Sequence, residues 1–93
     1  MYNILIVDDS RFDRIIIRDM IEEIGYNVIG EAENGKEAIN MYFKIYPDIV
    51  FMNLIMPVMD GLEAMKFILE NDPEAKIIVT SSYSEKNTLK KLY

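Results

Sequence analysis

Four short apolar runs, each followed by a longer stretch of helical periodicity, constrain this chain more than any other feature. The runs are Asn3 to Asp8, Asn27 to Glu31, Asp48 to Met52 and Lys76 to Thr80. The first is almost uninterrupted, as expected for a strand covered on both faces. Ser10 then offers a helix N-cap, and Asp13 three residues later can complete a capping box. Phe12, Ile15, Ile16, Met20 and Ile24 recur at helical spacing, and Gly25 suits the helix end. Asn34 with Glu37 opens a second helix with Ala38, Met41, Tyr42 and Ile45 on one face, closed by Pro47. Asp60 and Glu63 frame a third, with Leu62, Met65, Ile68 and Leu69 predicted to face inward and Asn71-Asp72-Pro73 ending it. A last helix is predicted from Ser84, carrying Leu89, Leu92 and Tyr93. Strand-helix alternation with short connections implies a parallel sheet with helices on both faces. Residues 1–93 read as one α/β domain without repeat or linker.

Composition narrows the function classes. A chain of 93 residues, 51% hydrophobic and 28% charged, is a small globular domain. Its net charge of −6 argues against nonspecific nucleic-acid binding, which requires an excess of Lys and Arg to neutralise phosphates. The chain has neither Cys nor His, so a thiolate metal site, a disulfide framework and the usual general base are all excluded. No apolar run approaches the roughly 20 residues needed to span a bilayer. Asp8 and Asp9 interrupt the first run too early for a signal peptide, so a cytoplasmic protein is expected.

In open parallel sheets, function gathers at the C-terminal ends of the strands. Those ends carry Asp8 and Asp9, then Asn53, then Thr80. Two adjacent carboxylates repel one another, and a hard cation such as Mg²⁺ relieves the repulsion while keeping several waters. Both can reach one site only if the chain turns after the strand, a turn that Ser10 can supply as N-cap. A plainer reading has Asp8 and Asp9 complementing the dipole of the first helix, with Thr80-Ser81-Ser82 as a hydroxyl-rich turn. The facing strand end at Asn53 favours the metal reading. Met52, Met56, Met59 and Met65 read as core and loop filling.

Ile4-Leu5-Ile6-Val7-Asp8-Asp9-Ser10, Pro47-Asp48-Ile49-Val50, Leu54-Ile55-Met56-Pro57-Val58-Met59-Asp60-Gly61 and Ile77-Ile78-Val79-Thr80-Ser81 are each moderately specific. In this order and spacing the chain resembles the receiver domains of two-component response regulators, the flavodoxin-like family of the chemotaxis protein CheY. The resemblance runs from residue 3 to the last residue. It implies a doubly wound parallel sheet of strand order 2-1-3-4-5 and an aspartate at position 53 that accepts a phosphoryl group from a histidine kinase. By the same resemblance Asp9 would bind Mg²⁺ directly, Asp8 would act mainly through a metal-bound water, and the backbone carbonyl of Ile55 would be a further ligand. Thr80 matches the family's switch hydroxyl.

Two departures stand out. Asn53 is not a nucleophile toward phosphorus, and its neutral amide weakens any Mg²⁺ site. No phosphoryl adduct is therefore expected at that position. The family also continues through a fifth strand, a Lys-Pro pair and a fifth helix; here the sequence stops within the predicted fourth helix, so the fold is read as a C-terminally truncated receiver. Lys86, Lys90 and Lys91 read as a solvated face and do not replace the family's phosphoryl-binding lysine. Strand four would then be a sheet edge and part of the first helix would be uncovered, so self-association is expected. A phosphorylation-independent pseudo-receiver acting through protein contact is the alternative. Enzymatic readings fare poorly. A haloacid-dehalogenase-like phosphatase needs a carboxylate two residues after the nucleophile, where Ser10 stands, and no Gly-rich loop follows the first strand to bind a nucleotide.

Overall fold

Each helix begins on a side chain that accepts a backbone N–H. In the computed structural model, which describes residues 1–80, 91 and 92, these caps are Ser10, Asn34 and Asp60. The elements in order are β1 (Asn3–Val7), α1 (Arg11–Glu23), β2 (Asn27–Ala32), α2 (Gly35–Ile45), β3 (Ile49–Asn53), α3 (Gly61–Asn71), β4 (Ile77–Thr80) and β5 (Lys91–Leu92). The capping box of α1 is only half formed. Ser10 Oγ accepts from Asp13 N at 3.2 Å, but Ser10 N donates to Asp8 Oδ1 at 2.9 Å rather than to Asp13. At the other end of α1, Gly25 takes φ +93°, while the N–H groups of Gly25 and Tyr26 bond the carbonyls of Glu22 and Ile21. That pairing closes the helix as a left-handed cap.

The sheet order is β2-β1-β3-β4-β5, with β1 to β4 parallel, in the flavodoxin-like arrangement that the family resemblance implies. Alternate residues of β1 serve two cores. Leu5 and Val7 join Val50, Met52, Ile77 and Val79 beneath α2 and α3. Ile4 and Ile6 meet Ile21 of α1 on the opposite face. Gly30 lets α2 approach β2 closely, since a Cβ there would lie 2.6 Å from Met41 Cε.

Three expectations are corrected. Of the residues at helical spacing in the first helix, Phe12, Ile15, Met20 and the C-cap Ile24 are exposed and Ile16 is half-buried, while Ile17 and Ile21 dock on the sheet. α1 is apolar on more than one side, so spacing identified the helix without identifying its buried face. On α3 the inward position goes to Ala64 rather than Leu62, which is exposed. The third concerns the chain's end. Residues 84–90 of the predicted fourth helix lie outside the described residues, but Lys91–Leu92 is extended, pairing antiparallel with β4 through Ile78↔Leu92 and Val79↔Lys91. The open hydrogen-bonding edge of β4 explains this, because an edge strand templates any backbone within reach. Neither a fifth parallel strand nor a fifth helix occurs among the described residues.

Candidate functional site

The chain reverses its sheet order between β1 and β3, and the polar strand ends meet at that point. Asp8 directly follows β1 and is fully buried; Asp9 is exposed. Because Asp8 Oδ1 takes the N–H of Ser10, the carboxylate itself makes the turn that the sequence reading assigned to Ser10. Such a bond from Asp to a backbone N–H two residues on is an Asx-turn. Arg14 Nη1 donates to the Asp8 backbone carbonyl at 2.7 Å while its Nε bonds Glu31 Oε1 at 2.9 Å. Arg18 reaches the same Glu31 at 2.5 Å. These two arginines tie α1 and the end of β1 to β2. Their signal in the sequence is a spacing of one helical turn on α1.

Asn53 ends β3 and is only 3% exposed. Its Nδ2 lies 3.4 Å from Asp8 Oδ1 and 3.4 Å from Asp9 Oδ1, while its Oδ1 accepts from Ile55 N at 3.2 Å. That orientation is chemically fixed. The flipped amide would set its oxygen against two carboxylates and its NH₂ against an N–H. Thr80, at the end of β4, stands opposite Asn53 in the strand register and is buried. Its hydroxyl and Asp8 Oδ2 are both buried without a hydrogen-bond partner among the described residues. Two orphaned polar atoms flanking one amide mark a polar site whose contacts are incomplete.

Gly61 explains how the loop after β3 closes. Its N–H bonds the carbonyl of Leu54 at 2.8 Å, and a Cβ at Gly61 would collide with the carbonyl of Asn53. Gly35 at the start of α2 meets the same loop through Met59 O at 2.8 Å. The starts of α2 and α3 thus clamp the segment behind Asn53.

Burial raises the Asp8 carboxyl above its ordinary range; the Ser10 N–H bond pulls it back, Asp13 adds repulsion, the Asn53 amide lowers it and Asp9 raises it again. Two carboxylates, one with an unpartnered buried oxygen, suit a hard oxygen-seeking cation in part. No group of three or more carboxylate, imidazole or thiol ligands converges among the described residues. Asn53 turns N–H toward Asp8 and Asp9, so it occupies with a dipole the side a cation would take. The sequence-predicted residues Asp8, Asp9, Asn53 and Thr80 are therefore brought together at one site, with Ile55 joined through its N–H.

The model of the response regulator receiver domain matches residues 4–93. The chain belongs to that family. It is 49% identical over 82 residues to the chemotaxis protein CheY of Thermotoga maritima, covering 88% of this chain and 68% of that protein. It is 50% identical over 82 residues to a protein-glutamate methylesterase/protein-glutamine glutaminase of Hahella chejuensis, covering 88% of this chain and 24% of that protein. The fold aligns with a TM-score of 0.85 and 35% identity to a chain in the crystal structure of the CheX-CheY-BeF3-Mg+2 complex from Borrelia burgdorferi, covering 92% of this chain and 66% of that one. The two relatives match over the same number of residues, a length that is about two thirds of the chemotaxis protein and about a quarter of the methylesterase. No described helix is long and apolar enough to cross a membrane.

Proposed function

We propose that this chain is a phosphorelay receiver whose phosphoacceptor position is blocked by Asn53, from a parent that takes a phosphoryl group from a histidine kinase onto an aspartate there. The observation that carries the reading is the placement of the Asn53 amide, buried and within reach of both Asp8 and Asp9. Phosphoryl transfer to an acceptor needs an in-line nucleophile and positive charge on the equatorial oxygens. An amide supplies neither the nucleophile nor the third negative charge that would hold the cation. Asp9, Asp8 through a water and the Ile55 carbonyl would hold Mg²⁺ weakly in this form, as the family resemblance implies; the Borrelia burgdorferi complex contains Mg²⁺ and BeF3. Thr80 is the switch hydroxyl, and its unpartnered Oγ1 fits a group that awaits an oxyanion. The protein works in the cytoplasm, as a signalling module and not an enzyme.

The second reading, a pseudo-receiver acting by contact alone, is favoured by one detail. The amide already bridges the acidic pair, so the site is held together without phosphate or metal. Asn53→Asp, in a chain extended past Tyr93 with a relative's fifth strand and helix, separates the two. Exposure to acetyl phosphate and Mg²⁺ should add a phosphoryl group to that variant under the first reading and leave its intact mass unchanged under the second.

Self-association completes the proposal. Phe12 is 65% exposed, Met20 50% and the C-cap Ile24 66%, so the first helix and its end present several apolar side chains to solvent. Because β5 occupies part of the β4 edge, this helix flank rather than the strand edge is the contact surface.

A further inference from the structure

The end of the sheet opposite the acidic site carries a second recess, an open cleft of about 300 Å³ with Tyr2, Tyr42 and Tyr46 in its lining. Its inner wall is Tyr42, a buried residue whose hydroxyl donates to Asp72 Oδ2 at 2.6 Å. Asp72 is fixed a second time, its Oδ1 accepting from Glu74 N at 3.2 Å. Asp48, across the cleft, accepts from Asn3 N at 2.7 Å. An ionised carboxylate has about four acceptor positions, so Asp48 and Asp72 keep acceptor capacity after these internal bonds. Glu74 adds a third carboxylate and Lys76 a single positive charge to the lining. The lining therefore carries three carboxylates against one lysine, together with aromatic rings. Its volume lies at the bottom of the range for small-molecule sites, too small for a nucleotide and sufficient for one long side chain.

Tyr46 is placed at this cleft by the end of α2. It ends α2 in a left-handed conformation, φ 46°, where glycine or asparagine is the usual residue. Its N–H bonds the carbonyl of Tyr42 at 2.8 Å, which holds the turn. The ring packs 6.0 Å from both Tyr42 and Phe43, yet the residue stays 64% exposed at the mouth of the cleft. The left-handed turn thus leaves one side of the Tyr46 ring on its aromatic neighbours and much of the residue open to solvent beside the cleft.

We propose that this cleft binds an organic cation, a guanidinium or ammonium head on a flexible aliphatic stem, with the Tyr2 and Tyr46 rings against the stem and head and Asp48, Asp72 and Glu74 facing the charge. Aromatic faces attract such cations within roughly 6 Å of the ring centre, and flanking carboxylates add attraction. The same chemistry arrives as a free amine or as an Arg or Lys side chain of a polypeptide. Amide correlation spectra of the 93-residue chain, titrated with N-acetylarginine methylamide, agmatine and the neutral N-acetylnorleucine methylamide, read the site directly.

Saturable shifts are expected at Tyr46, Asp48, Asp72 and Lys76 with the two cations and none with the neutral compound. The tighter of the two identifies the source, peptide side chain or free amine. Tyr46→Gly suits the left-handed turn and so keeps the fold, but should weaken binding about fivefold. Glu74→Lys, at an exposed position, should abolish it. Unsaturable shifts, equal shifts from the neutral compound, or undiminished binding by both variants would overturn the proposal.

Discussion

Asn53 offers its amide hydrogens to Asp8 and Asp9 and its amide oxygen to the N–H of Ile55, and only the last of these bonds survives when the side chain becomes a carboxylate. The residue is thus a spacer between two negative charges. Val58, five positions on, illustrates a different constraint. It takes φ 69° although it is β-branched, and it is 81% exposed, so no packing offsets the strain. A left-handed conformation costs an ordinary residue roughly 1–2 kcal/mol, and asparagine tolerates it far better. Val58→Asn should therefore raise stability by about 0.5–1 kcal/mol, read as a shift in the urea midpoint at constant slope. Asp8, Asn53 and Thr80 were legible in the sequence because each is a polar residue ending an apolar run. The bond from Asp8 to Ser10 N was not, since nothing in the spacing distinguishes an Asx-turn from a full capping box.

Among the elements, α1 is the one most tightly tied by charge. Arg18 first, and then Arg14 against the effect of burial, hold the Glu31 carboxyl below its ordinary value of 4.5. A lowered acid contributes stability that is complete above its unfolded-state pKa and is lost as pH falls through the lowered folded value. Glu31→Gln should accordingly cost about 1 kcal/mol near neutral pH, a figure discounted for partial exposure, and progressively less below about pH 4.5. Denaturation of both proteins across that window checks it; a difference independent of pH would assign the cost to packing. Gly61 makes a second prediction at this scale. Any side chain there meets the Asn53 carbonyl, so Gly61→Ala should destabilise by about 2–3 kcal/mol, measured by thermal or urea unfolding. Element type and order followed from periodicity and caps, as Ser10, Asn34 and Asp60 demonstrate. Helix facing did not follow for α1, whose apolar residues surround much of its circumference, and the extended Lys91–Leu92 reflects an edge that local sequence does not encode.

For the molecule as a whole, the exposed flank of α1 predicts concentration-dependent assembly. Light scattering should show a mass above the monomer that falls when Phe12 and Met20 are both changed to Lys; a monomer at high concentration with a sharp unfolding transition would refute that. Global stability also reports on the acidic site, because each protonation or ligation there is coupled to folding. On the proposed function, the Asn53 amide takes the place of both a carboxylate and the cation that a carboxylate would require. Urea unfolding of the protein and of Asn53→Asp, each with and without millimolar Mg²⁺, tests this directly. Without Mg²⁺ the variant should be less stable by about 1–2 kcal/mol, from three carboxylates sharing one partly buried site. Added Mg²⁺ should restore the variant and leave the parent's midpoint almost unmoved. Equal stabilisation of both by Mg²⁺, or a variant no less stable without it, would contradict the account.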